Sequence, residues 1–224
     1  CSSEGYECEK MAIEKIKHFV SKEALNIEGF GKKIVENFWN LKLIRLPQDI
    51  FKLDFSKIQS LDGWGKQSVA NLHYSINLRK TITFEKFIYS LGIRYIGLEN
   101  AKIISKNLKS LKNFISLSKK NNFDDLINID GIGETQINSI KNFFKNKTNL
   151  NVLESLEKVL EVRDAKIKKT DGLLNNKTFM FTGKLVNMSR SEAKSIIEQN
   201  SGSIVSNVTK KLDYLIVGEK PTSR

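Results

Sequence analysis

Cysteine is almost absent from this chain: its 224 residues include two, Cys1 and Cys8, both at the extreme N-terminus. So few thiols argue against a disulfide framework, and two cysteines make only half of a four-ligand zinc site. Long apolar runs are missing too, with nothing approaching the roughly 20 residues that a membrane helix needs. The opening CSSEGYECEK lacks the basic-then-apolar layout of a secretory signal. These absences lead us to expect a soluble, cytoplasmic chain with no membrane partner. Hydrophobic residues, at 40%, suffice for packed cores, which argues against wholesale disorder. The length fits one large domain or two to three small ones. A start on Cys1 rather than Met reads as a fragment.

Acidic residues are in deficit. Lys and Arg number 37 against 25 Asp and Glu, for a net charge of +12 and a pI near 9.5. Such a surplus favours a polyanionic partner, because each phosphate neutralised releases counterions. A coding bias explains part of it, since Lys far outnumbers Arg and Asn and Ile are plentiful. The surplus is nevertheless uneven: from Asp171 onward there are eight basic and five acidic residues, so most of the excess lies before that point.

The early region contains a repeat. IEGFG (Ile27 to Gly31) is followed by KKIVENF, LDGWG (Leu61 to Gly65) by KQSVANL, and IDGIG (Ile129 to Gly133) by ETQINSI. A degenerate copy, LGIRYIGLENAKII, keeps Gly97 but has Tyr95 where the first glycine would stand. The second glycines fall at 31, 65, 97 and 133, a period of 32 to 36 residues. Four positions after each comes Val35, Val69, Ala101 or Ile137, one helical turn on and so on the expected buried face. Glycines let the chain turn tightly and approach a ligand, and the outgoing helix then points free N–H groups and its positive dipole end outward. This is the helix-hairpin-helix pattern, which grips the nucleic-acid backbone without reading bases. A single copy would be better read as a plain connection between packed helices; four copies in phase in a basic chain favour DNA. The candidate phosphate-binding residues are Gly29, Gly31, Lys32, Lys33, Gly63, Gly65, Lys66, Gly97, Gly131 and Gly133. Lys32, Lys33 and Lys66 assist a phosphate, Leu98 is neutral and Glu134 opposes one. The first two hairpins are therefore the better expected sites, and the fourth is expected to be mainly structural.

The texture changes near the C-terminus. KTFMFTG (Lys177 to Gly183) reads as a strand ending in a turn. In SRSEAKSIIEQNSG, Ser189 and Glu192 have capping-box spacing, Ala193, Ile196 and Ile197 form an apolar face, and Gly202 ends the helix. SIVSNVT and DYLIVG supply two further strands. This segment resembles the start of a BRCT domain that stops at Arg224, before the helices, strand and buried Trp that would normally follow. Thr182 and Gly183 stand where many BRCT domains hold a phosphate, with Arg224 as a candidate basic partner; a Thr-Gly turn can equally just end a strand. The polar stretch 162–176 is expected to be a linker.

The order of parts is similar to the C-terminal portion of bacterial NAD-dependent DNA ligases. Local strings agree: HFVSKEALNIEGFG (His18 to Gly31), SLGIRYIG (Ser90 to Gly97), FTGKL and SRSEAK. The implied fold is mainly α, four tandem helix-hairpin-helix units, followed by a partial α/β BRCT domain. The implied divisions are 1–20 (C-terminal half of a four-cysteine zinc finger), 21–161 (hairpins), 162–176 (linker) and 177–224 (truncated BRCT). Cys8, ten residues before His18, matches the family's fourth zinc ligand, and Cys1 its third at slightly wide spacing. Two idle thiols remain the plainer alternative, and His18 is better read as packing than as a ligand. The resemblance further implies a monomer acting on nicked double-stranded DNA in replication and repair. NAD and magnesium would be bound elsewhere in the full enzyme, whose reaction is phosphoryl-type chemistry with a nucleotide pocket and metal-holding carboxylates. No catalytic residue is assigned here. Lys169-Thr170-Asp171-Gly172 fits the K-x-D-G signature of an adenylated lysine, but a polar linker offers no pocket to activate it. The alternative from another class is a non-enzymatic repair scaffold of tandem hairpins. A nucleotidyltransferase domain with its own K-x-D-G upstream of Cys1 would separate the two.

Overall fold

The structure is a computed structural model. It describes residues 5–120, 123–127, 129–165, 172–205 and 212–219. The chain divides into two compact units, Cys1–Ala165 and Lys166–Arg224.

In the first unit, four helix pairs follow the repeat. They are α1 (Glu9–Val20) with α2 (Lys32–Asn40), α3 (Phe55–Gln59) with α4 (Lys66–Leu78), α5 (Phe84–Ser90) with α6 (Leu98–Leu108), and α8 (Asp124–Ile127) with α9 (Glu134–Lys145). A short 3-10 helix (Pro47–Lys52) joins the first pair to the second, α7 (Leu111–Lys120) joins the third to the fourth, and α10 (Lys147–Val159) packs back against the 3-10 helix. All four residues read as buried are so, with Val35 and Ala101 fully enclosed and Val69 and Ile137 at 6% and 7% exposure. The core is one continuous cluster across the unit, in which Phe19, Phe30, Phe38, Phe84, Phe87 and Phe114 are sealed. Each such side chain contributes about 1.5–3 kcal/mol of burial.

Polar ties fix the helix ends. The Asp54 carboxylate accepts from the Ser56 and Lys57 amides at 3.0 and 3.2 Å, capping α3, and Asn146 caps α10 through the Asn149 amide at 3.0 Å. Trp39 Nε1 donates to Glu9 at 2.9 Å, and Lys17 reaches both Glu14 and Glu36 at 2.7 and 2.6 Å, locking α1 to α2. Those bonds raise the Lys17 pKa and lower that of Glu36.

Two expected divisions shift. Within the range 1–20, α1 (Glu9–Val20) packs with the hairpins, burying Ala12, Ile16, Phe19 and Val20 in their core. The linker is shorter than 162–176, because Val162 and Arg163 lie in β2 (Glu161–Arg163). This strand pairs in parallel with β1 (Thr81–Thr83), Ile82 opposite Val162. Leu174 in turn belongs with the second unit, donating to the Asn200 carbonyl at 3.0 Å.

The second unit is a parallel sheet in the order β4-β3-β5 with one helix. Its elements are β3 (Thr178–Thr182), α11 (Arg190–Gln199), β4 (Ser203–Ile204) and β5 (Tyr214–Val217). The capping box forms: the Glu192 amide donates to Ser189 Oγ at 3.2 Å, and the Ser189 amide to the Glu192 carboxylate at 2.7 Å. Ala193 and Ile197 are buried as expected, but Ile196, on the same helical face, is 47% exposed. Beyond the helix, Ser201 rather than Gly202 takes the left-handed conformation, with φ 70°. Gly202 is needed for proximity, because a Cβ there would lie 2.5 Å from Ile197 Cγ2. The expected architecture is therefore present: mainly helical hairpins, then a partial α/β domain.

Candidate nucleic-acid interface

Each hairpin turn is built the same way. An amide donates three residues back, from Phe30 to Ile27, Trp64 to Leu61, Ile96 to Ile93 and Ile132 to Ile129, all at 3.1–3.2 Å. The residue before that amide is left-handed: Gly29 at φ 77°, Gly63 at 80°, Tyr95 at 61° and Gly131 at 86°. The degenerate third copy thus keeps the turn and forces a bulky residue into a backbone region that disfavours a Cβ. The residue after it, Gly31, Gly65, Gly97 or Gly133, is extended (φ −75° to −92°) and starts the outgoing helix. Two glycines in one motif therefore do different jobs, one turning the chain and one clearing space.

The four helix starts are not equivalent. Gly31, Gly65 and Gly97 carry no side-chain cap, and a Cβ on any of them would meet nothing within 4 Å. Lys32, Lys33 and Lys66 are exposed in the first turns of α2 and α4. At the fourth hairpin the Gln136 side chain accepts from the Gly133 amide at 3.2 Å, occupying a donor that a phosphate would use. A Cβ on Gly131 would lie 3.1 Å from Ile103 Cδ1 of α6, so that turn is closely packed. Exposed Glu134 adds a negative charge there. Leu98, at 41% exposure, is neutral at the third helix start, which is open but carries Glu99 in its first turn. The Gln136 cap and the Tyr95 backbone were not read from sequence; Tyr95 standing in the glycine slot was the available signal for the latter.

Cys8 is a free, half-buried thiol at the N-cap of α1. Cys1 lies outside the described residues. Among the described residues no group of three or more His, Cys, Asp or Glu could hold a metal, so Cys8 could supply one ligand and not a site. His18 is engaged elsewhere, with Nε2 2.7 Å from the Tyr89 carbonyl and its ring edge-on to Tyr89 at 4.5 Å.

In the second unit Thr182 and Gly183 close β3 onto β5. The Gly218 amide donates to the Thr182 carbonyl at 2.8 Å, and a Cβ on Gly183 would sit 2.7 Å from the Gly218 and Glu219 carbonyls. The turn's geometry is thus explained by packing. Arg224 and Lys169 lie outside the described residues; among the described ones Arg190 reaches Gly183, donating to its carbonyl at 2.8 Å. No helix of the described residues is long and apolar enough to cross a membrane.

Residues 86–153 match the model of the helix-hairpin-helix motif, and residues 169–224 match that of the BRCA1 C Terminus (BRCT) domain. The chain is 68% identical over 222 residues to a protein of Pelagibacter ubique (strain HTCC1062) named DNA ligase. It is 42% identical over 234 residues to one of the same name from Ehrlichia canis (strain Jake), and 41% over 229 to one from Wolbachia pipientis wMel. These alignments cover 99–100% of this chain but 33–34% of each relative, so the chain spans about a third of their length. The resemblance to DNA ligases drawn from the sequence is borne out.

Proposed function

We propose that this chain, similar along its whole length to part of proteins named DNA ligase, is the DNA-gripping portion of an NAD-dependent DNA ligase that seals 5′-phosphate/3′-hydroxyl nicks in duplex DNA. The observation that carries the reading is the set of open, uncapped helix starts at Gly31, Gly65 and Gly97, two of them flanked by exposed lysines. Backbone N–H groups at a helix start, the dipole and adjacent ammonium groups together suit a phosphate oxygen. The protein backbone can come close because the glycines leave room. Such contacts hold the duplex in register and carry no sequence information.

NAD and magnesium are assigned to no residue of this chain, and the chain alone is expected to be inactive in ligation. Cys1 and Cys8 are assigned to a zinc site whose other ligands come from outside this sequence. Zinc there would be structural, holding its ligating segments together. The protein acts as a cytoplasmic monomer.

Duplex affinity measured from low to high salt tests the reading. Log K should fall linearly with log salt, with a slope of about −0.9 per phosphate neutralised, and be alike for unrelated sequences. Salt-resistant, sequence-selective binding would overturn it, as would nick sealing by this chain with NAD and magnesium. Metal analysis tests the zinc assignment: a longer chain bearing two more upstream cysteines should retain about one equivalent, and Cys8→Ser should abolish retention. An extended protein without zinc refutes it.

A further inference from the structure

The hairpin turns leave unexplained a cleft of about 780 Å³ between the first and second hairpins. Glu28, Gly29 and Ile34 line one side, and Trp64, Ser68, Asn71, Tyr74 and Leu78 are among the residues lining the other. A surface that only grips phosphates needs no such lining.

Three observations point to its ligand. Tyr74 and Leu78, one turn apart on α4, are 69% and 54% exposed, so apolar surface is spent here without burial. Trp64 is half-buried, whereas its counterparts in the other turns, Phe30, Ile96 and Ile132, are at most 6% exposed. Polar groups interleave with these rings. Ser68 and Asn71 are exposed, and Asn71 Oδ1 accepts from Gln67 Nε2 at 2.8 Å, which engages the carbonyl and leaves the amide NH2 as a donor. The charged residues lining the cleft are Glu28 and Arg79, one of each sign, and further cations stand at the starts of the helices that form it. Lys32 and Lys33 begin the helix whose Ile34 lines the cleft, and Lys66 begins the one whose Ser68 does.

Aromatic faces interleaved with hydrogen-bonding side chains, with lysines at the adjoining helix starts, are the chemistry of single-strand binding. The volume is in the range that encloses a small organic molecule. A base inside a continuous duplex hides its faces and could not enter; an unpaired one could. We propose that this cleft binds an unpaired nucleotide, with its base against Trp64 and Tyr74, its polar edge toward Asn71 and Ser68, and its phosphates toward the lysines. The proposal rests on the DNA-binding reading above and adds to it a second mode, specific for unpaired bases.

The two tryptophans make the test clean. Trp39 is 6% exposed and hydrogen-bonded to Glu9, so a change in emission on adding DNA reports Trp64. The whole chain is titrated at fixed salt with a single-stranded thymidine 12-mer, a continuous duplex and a duplex bearing one bulged nucleotide. The 12-mer and the bulged duplex should quench emission more than the continuous duplex does. Tyr74→Ala should weaken both by about 5- to 150-fold, the size of one lost base stack. Asn71→Ala should weaken both by a smaller factor, and affinity for the continuous duplex should be unchanged in both variants. Tyr74 is largely exposed, and an unchanged urea midpoint confirms folding. The proposal is overturned if both folded variants bind the 12-mer and bulged duplex like the parent, if binding leaves Trp64 emission unaltered, or if Tyr74→Ala weakens continuous duplex equally. Failure of the parent to bind even continuous duplex would sink the DNA-binding reading itself.

Discussion

Replacing Tyr95 by Gly should make the first unit more stable than replacing it by Ala, the reverse of the usual order. At ordinary backbone angles Ala exceeds Gly by about 0.5–1 kcal/mol, because Gly has more conformational freedom to lose. Tyr95, however, sits at φ 61°, where a side-chain-bearing residue costs roughly 1–2 kcal/mol. Glycine escapes that cost and alanine does not, so Gly should lead by about 1 kcal/mol after its entropy is charged. Both variants lose the same tyrosine contacts. The ring is 55% exposed and rests under Arg94 at 5.1 Å, an interaction of about 0.5–1 kcal/mol at such a site. Tyr95→Gly should thus lie within about 1 kcal/mol of the parent, with Tyr95→Ala clearly below it. Urea titration followed by tryptophan emission is the assay, since Trp39 and Trp64 both lie in the first unit. The same logic has a built-in control: Gly31, at φ −75° with open space around it, should accept Ala without loss, whereas Gly29, at φ 77°, should not. Equal midpoints for the Gly and Ala variants at 95, or a more stable Ala, would refute the argument from backbone strain.

Gly31→Val and Gly65→Val should fold, since neither glycine is left-handed or crowded, yet each should weaken duplex binding. One charge-assisted contact, roughly 1.5–3 kcal/mol, is the expected loss in filter or anisotropy binding. Gly133→Val should cost less affinity because Gln136 already holds that amide; if it costs the most, the fourth hairpin is a principal contact and the charge argument fails. In the second unit, Asp213 accepts from the Thr178 amide and hydroxyl at 2.7 and 2.8 Å, which with nearby Lys177 holds its pKa below the usual aspartate value. A depressed carboxylate stabilises the fold above its unfolded pKa, about 3.9, and that contribution is lost as pH falls through the folded value. Hydrogen-exchange protection of β3 amides, corrected for intrinsic rates, should therefore fall on acidification and lose this dependence in Asp213→Asn; an unchanged acid response in that variant counts against the assignment.

The repeat was legible because its physics is local. A left-handed residue, an apolar anchor and an extended glycine at the helix start recur within a five-residue motif, and Val35, Val69, Ala101 and Ile137 report the buried face directly. What escaped the sequence depends on distant partners. Val162 and Arg163 look like linker in a charged stretch, and only the pairing with Thr81–Thr83, some eighty residues earlier, makes them a strand. Gln136 reads as an ordinary helix residue until its amide oxygen turns back on Gly133. Ile196 fits the apolar stripe of Ala193 and Ile197, yet it is left exposed. The cleft between the first two hairpins was invisible for the same reason, since Tyr74 and Leu78 acquire meaning only opposite Glu28 and Ile34.

The parallel pairing of Thr81–Thr83 with Glu161–Arg163 sets the order in which the first unit can be completed. During vectorial synthesis the first two hairpins and β1 emerge well before β2 exists, and the Lys80 carbonyl waits for the Glu161 amide that will bond to it at 2.7 Å. Until then β1 is an open edge, the kind of backbone that pairs with whatever strand arrives. Its shortness, three residues, limits that hazard. Closing a loop of this length is entropically costly and slow compared with forming a hairpin from neighbouring helices. The clasp cannot close before residues 161–163 have been made, so the first unit is complete only once its last strand is available.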